Sequence, residues 1–154
     1  MVFDMGRAVA KLIASATIIA ACGGSSDPTP PSTDLQVAGT YDTVVTLTQN
    51  GCTGITVQTF ATTVTHTAGA STLTLTHAGN SYSGTVQRNG AFATTPVTVG
   101  GGGETHTLTI AGTFSTTAVD ATVSAVVQRT GSASCQYTVR WVGPKRGGPN
   151  VIPG

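Results

Sequence analysis

Charge is scarce in this chain of 154 residues: seven Lys or Arg and six Asp or Glu amount to 8%, with a formal net charge of +1. So little charge argues against a nucleic-acid partner held by a basic surface and against an acidic interaction tail. Aromatic residues make up 5%, too few for the two girdles of a membrane-embedded β-barrel. The strong helix formers Leu, Glu and Lys are sparse, and the three cysteines include no Cys-x-x-Cys pair. What remains is 30 Thr, 20 Gly, 18 Ala and 17 Val, a composition of strands and turns. The length suits one ordinary domain with short appendages.

Residues 1–21 have the layout of an export signal. Arg7 and Lys11 precede an apolar run from Leu12 to Ala21, and Cys22 follows. As a helix that run reaches about 15 Å, short of the roughly 20 residues a bilayer core needs. Asp4 is unusual in a basic leader, and Met5 would open a leader without it. Ile19-Ala20-Ala21-Cys22 resembles the lipobox of bacterial lipoproteins. The resemblance implies that Cys22 is lipidated, becomes the first mature residue and anchors the chain in a membrane. Gly23 stands where lipoproteins retained in the inner membrane commonly carry Asp, so the resemblance implies the outer membrane of the cell envelope. Residues 22–36 follow as a tether, with Gly, Ser, Pro and Thr through Thr33 and nothing large to bury there.

From Val37 to Val142 the signal is period-two alternation broken by Gly and Asn clusters, which predicts an all-β, antiparallel meander of about eight strands. The first strand is expected over Gly39–Thr48, the second from Ile55 to about His66, the third over Ser71–His77 and the fourth over Ser81–Arg88. Asn89-Gly90 marks a hairpin. The fifth follows over Ala91–Val99, with Pro96 placing it at an edge or bulge. Gly100 to Gly103 reads as a hairpin tip. The sixth runs from about Thr105 to Phe114, the seventh spans Ala118–Thr130 and the eighth Cys135–Val142. An up-and-down β-barrel is favoured over a β-sandwich. Residues 143–154, rich in Gly and Pro, read as a disordered tail.

With Cys22 assigned to lipid, Cys52 and Cys135 form an even pair in an oxidising compartment and are expected to join in a disulfide. Closing a loop of about 84 residues stabilises by roughly 4.5 kcal/mol in the chain-entropy model.

Little else points to chemistry. His77 and His106 lie on inward-facing registers and are the weak candidates for a metal site, with Asp42 or Glu104 to complete it; strand-end histidines more often meet solvent. There is no Gly-x-Ser-x-Gly elbow, no close carboxylate pair and no lysine after the glycine run. The sequence therefore predicts no catalytic residue and no cofactor. Tyr41, Tyr82, Phe114, Tyr137 and Trp141 are core residues in the bland reading and the lining of a small apolar ligand pocket in the sharper one. Gly39-Thr40-Tyr41 resembles the Gly-x-Trp opening of lipocalins over three residues, with Tyr in place of Trp, which implies a ligand-holding barrel. The leading expectation is a non-enzymatic envelope lipoprotein with a structural or protein-interaction role; a barrel binding a small hydrophobic ligand is the alternative, and a metal-dependent or hydrolytic enzyme comes third.

Overall fold

The computed structural model describes residues 33–101 and 103–154. The expected export signal, Cys22 and most of the expected tether lie outside the described residues. The described part contains ten antiparallel strands and no helix: β1 (Gly39–Tyr41), β2 (Val44–Asn50), β3 (Thr62–His66), β4 (Thr72–His77), β5 (Asn80–Val86), β6 (Ala91–Thr94), β7 (Val97–Gly101), β8 (Glu104–Phe114), β9 (Ala118–Arg129) and β10 (Cys135–Pro144). They make one sheet curled into a half-barrel, in the order β1-β3-β4-β5-β6-β8-β9-β10-β2, with β7 also paired to β8. The eight expected strands become ten because two of them break.

The first break makes both edges of the sheet from one stretch of chain. At Asp42–Thr43 the chain bends, so that β1 pairs with β3 while β2 pairs with β10. Gly143 makes room for the bend, since a Cβ there would lie 2.4 Å from the Asp42 carbonyl oxygen. Around the bend Tyr41 bridges to Lys145, and the Asp42 amide donates to the Pro144 carbonyl at 2.9 Å. Among the described residues no pairing joins β2 to β3 directly; residues 51–61 connect them.

Pro96 causes the second break. Ala93 pairs with Ala111, but Val97 pairs with Leu108, a slip of one residue along β8. A proline has no amide to give the ladder, and a bulge accommodates it. The slip leaves the Ile110 amide facing the Thr94 side chain, whose buried Oγ1 accepts its hydrogen bond at 3.0 Å.

Other boundaries follow the sequence closely. The hairpin at Asn89-Gly90 is closed by Gln87 N–H donating to Ala91 at 2.7 Å, and Gly90 takes the left-handed conformation at φ +85°. Two expectations are corrected. The second strand starts only at Thr62, because residues 55–61 are held as an irregular segment across the sheet. The glycine tip is narrower than expected, for β7 runs through Gly101, paired to Glu104.

The inner face carries the core. Val119, Ala121, Val123, Ala125 and Val127 are buried along β9, opposite Leu108, Ile110 and Phe114 of β8 and Val139 and Trp141 of β10. Alternation places Thr122, Ser124 and Thr138 on the outer face.

The tail expected to be disordered is a structural part of the domain. Gly143 and Pro144 extend β10, and Gln36 and Val151 exchange amide hydrogen bonds at 2.9 and 3.0 Å. Asn150 is buried, and Ile152 packs against the core. Glycine and proline content hid this, because the contacts that order the tail are scattered over Lys145, Arg146, Asn150, Val151 and Ile152 and show no period. The partner stretch corrects the other boundary: Leu35 and Val37 are buried, so the folded domain begins inside the segment read as tether.

Candidate functional site

The inner face is sealed at one end. There Phe92 stacks on Phe114 with ring centroids 4.6 Å apart, and Tyr41 leans on Phe114 at 5.5 Å. The Tyr41 hydroxyl shares its proton between the Val37 carbonyl at 2.7 Å and Asn150 Oδ1 at 2.8 Å, and Asn150 Nδ2 donates to the Ser115 carbonyl at 2.7 Å. Burial pushes the Tyr41 phenol up to about 12, against the opposing pull of the Asn150 hydrogen bond. Tyr41 and Phe114, both expected in a ligand pocket, are thus core residues with no free surface. The fold places them under the two chain ends of the domain, which the alternation pattern alone could not show.

At the other end the inner face opens into a cleft of about 400 Å³. Its walls are Val45, Leu108, Val123, Val139 and the rings of Tyr82, Tyr137, Trp141 and His77, and its outer rim is Thr56, Val57, Gln58 and Phe60 from the 51–61 segment. Clefts of this size and apolar, aromatic lining are of the kind that bury small molecules. Space exists because β9 presents only Ala121 and Ala125 beside Val123, so the large rings of β5 and β10 meet no bulk from the middle of the sheet. None of the lining residues carries a formal charge with His77 neutral.

Trp141 organises the cleft. His77 stacks on it with centroids 4.1 Å apart and planes 26° apart, while Tyr82 meets it edge-on at 6.4 Å. His77 is fixed from behind: Thr43 Oγ1 donates to Thr62 Oγ1 at 2.7 Å, and Thr62 Oγ1 lies 2.9 Å from His77 Nδ1. Thr62 Oγ1 can accept from Thr43 and still either donate to Nδ1 or accept from it, according to the imidazole tautomer. Burial holds the His77 pKa below the ordinary histidine value. Phe60 stands edge-on to the same imidazole at 5.9 Å and remains 43% exposed.

The segment that forms the rim is pinned at its start. Cys52 and Cys135 are joined in a disulfide with Cα atoms 5.3 Å apart, as expected from the cysteine count. Arg129 Nη2 donates to the Thr53 carbonyl at 2.9 Å, and Thr59 Oγ1 accepts from the Val45 amide at 3.3 Å.

Beyond Tyr137 lies a polar cluster that joins several titratable groups. The Tyr137 hydroxyl is 3.3 Å from His106 Nδ1, His106 Nε2 is 2.8 Å from Glu104 Oε1, and Arg129 Nε donates to Glu104 Oε2 at 2.8 Å. Arg129 holds the Glu104 carboxyl below its usual range, against desolvation, with help from His106. Burial, then the Glu104 charge, pushes the Tyr137 phenol up. A phenol so disposed is a hydrogen-bonding group and a poor nucleophile.

The structure therefore brings together Tyr82, Tyr137, Trp141 and His77 of the residues singled out from sequence, and separates Tyr41 and Phe114 from them. His77 and His106 have different partners, and among the described residues no three of His, Cys, Asp or Glu are grouped to hold a metal ion. Sequence reasoning missed the rim residues and the Glu104–Arg129 pair. Cys52 was the available signal for the rim, since a disulfide at its start anchors the segment to β10. Comparison with protein-family models, with curated proteins and with solved structures found no match to this chain.

Proposed function

We propose that this chain is a lipid-anchored protein of the bacterial envelope whose β-domain is non-enzymatic and binds a small, neutral, ring-bearing apolar molecule in the aromatic cleft. The observation that carries the reading is the cleft itself: an open concavity of about 400 Å³ whose walls are four rings and four aliphatic side chains. A flat occupant gains both apolar burial and ring contacts there, at about 25 cal/mol per Å² of apolar surface removed from water. The lipobox-like leader, with Gly23 after Cys22, supports anchoring at the outer membrane. A structural or protein-interaction role is the second reading. It rests on the threonine-rich outer faces, which offer dispersed hydroxyls rather than a converging site.

Mass spectrometry of the chain purified from the membranes of an exporting bacterium tests both parts. The denatured protein is expected to begin at Cys22 with added acyl mass, and the native protein to carry a further small-molecule mass that denaturation removes. A chain without acyl mass contradicts the anchor, and a native mass equal to the denatured one in a host extract rich in apolar metabolites contradicts the ligand.

A further inference from the structure

We infer that the cleft selects its occupant by a hydrogen-bond donor: the ligand is a flat, neutral, apolar molecule bearing a hydroxyl or N–H group that the Tyr137 hydroxyl oxygen receives. This rests on the cleft reading above and adds to it the polarity of one contact.

The polarity follows from a chain of hydrogen bonds with a single direction. Arg129 donates to Glu104 through Nε at 2.8 Å and Nη2 at 3.4 Å, so the carboxylate is ionised and can only accept. Its Oε1 lies 2.8 Å from His106 Nε2, which must then carry a proton. In the neutral imidazole the remaining nitrogen, Nδ1, has only a lone pair. With His106 neutral, the Tyr137 hydroxyl, 3.3 Å away, gives its one proton to that lone pair. Tyr137 lines the cleft, and its oxygen is left with lone pairs and no proton to offer. An ether or ketone edge placed against it meets two acceptors face to face, whereas an alcohol, phenol or N–H completes the chain. Arg129 also holds the Thr53 carbonyl, so the group that sets the polarity pins the rim as well. Discrimination of this kind is strong in a partly desolvated site, because the mismatched partner leaves a polar group unpaired.

Two probes with the same ring body separate the ideas: 2-naphthol, which has the donor, and 2-methoxynaphthalene, in which a methyl group replaces it. Calorimetric titration of the disulfide-bonded full chain at about pH 8, where an ordinary imidazole is neutral, is expected to give roughly tenfold tighter binding of the naphthol. Y137F is expected to bring the two affinities together by removing the oxygen. H106F keeps that oxygen but frees the Tyr137 proton to serve the ether, and is expected to shrink the ratio toward one. Circular dichroism and the intact bridge verify that each variant is folded, and either variant alone suffices for the comparison. Equal affinities in the unaltered chain, or a tenfold ratio that survives in either folded variant, overturn the donor assignment while leaving the cleft. Failure of both probes to bind overturns the cleft reading, and this inference with it.

Discussion

The two ends of the inner face are made from the same strands and differ in what lies over them. At one end Tyr41 is fully buried, Phe114 is 1% exposed and Phe92 is buried, with the Asn150 side chain bonded to the Tyr41 hydroxyl. At the other, Val45, Leu47 and Tyr137 are only half-buried, and the cover is an irregular segment fastened by one disulfide and a few hydrogen bonds. Three rings, Tyr41, Phe92 and Phe114, meet at the sealed end, and five, Phe60, His77, Tyr82, Tyr137 and Trp141, at the open one. In this threonine-rich sheet the segments around Leu35–Val37 and Asn150–Ile152 cover one end of the inner face and leave the other to the 51–61 segment. At the sealed end all three rings are buried; at the open end Tyr82, His77 and Trp141 are buried as well, and Tyr137 and Phe60 keep part of their surface free.

Removing the fastening is the largest expected perturbation. Replacing Cys52 and Cys135 together by Ala relaxes a loop spanning 83 positions and is expected to lower the unfolding free energy by up to about 4.5 kcal/mol, read by urea denaturation. Any ligand affinity should fall with it, because the rim begins at Cys52. Retained affinity would show that the rim is held by other contacts.

Truncating a ring sharpens the comparison between the ends. Phe114→Ala leaves a cavity sealed on all sides and is expected to cost about 3 to 5 kcal/mol. Tyr137→Ala opens onto space that already admits water and is expected to cost about 1 to 2 kcal/mol. Equal losses in denaturant unfolding would break the distinction.

The sealed end also has a signature at high pH. Tyr41 ionises near 12 in the folded chain and near 10 when unfolded. Above pH 10 the unfolded state therefore binds fewer protons than the native state, and stability falls as pH rises from about 10 to 12. The loss approaches roughly 2 to 3 kcal/mol at the upper limit. Y41F should remove this alkaline component in a comparison of urea midpoints. At the open end, His77 acts in the acid direction. Its depressed pKa means that the unfolded state takes up protons first as pH falls below the ordinary histidine value, so His77 lowers stability on acidification.

Much of this was legible in the residue pattern, and what was not has a physical reason. The alternation of β8, β9 and β10 and the Cys52–Cys135 pair could be read directly, because each depends on period two or on counting. Breaks inside a strand could not be placed so well: Pro96 announced a bulge, but the bend at Asp42–Thr43 depends on Gly143, a hundred residues away. The assignment of rings to pocket or core failed for Tyr41 and Phe114 for a related reason. They share their face with Trp141 and Tyr137, and only the docking of Leu35, Val37 and Asn150 separates the two groups. Polarity within the site was hidden as well, since the Glu104–Arg129 pairing across β8 and β9 sets the His106 tautomer through contacts that no local motif records.

If the open end accepts a ligand and the sealed end does not, Trp141, the only tryptophan in the chain, reports it without labels elsewhere. In a two-dimensional ¹H–¹⁵N correlation spectrum its indole N–H gives a single side-chain resonance. Titration with 2-naphthol is expected to move that resonance and the amide signals of Tyr82 and Tyr137 along one saturable curve, while those of Val37, Tyr41 and Phe114 stay fixed. An indole resonance that stays in place, or shifts spread equally over both ends without saturation, would contradict the account.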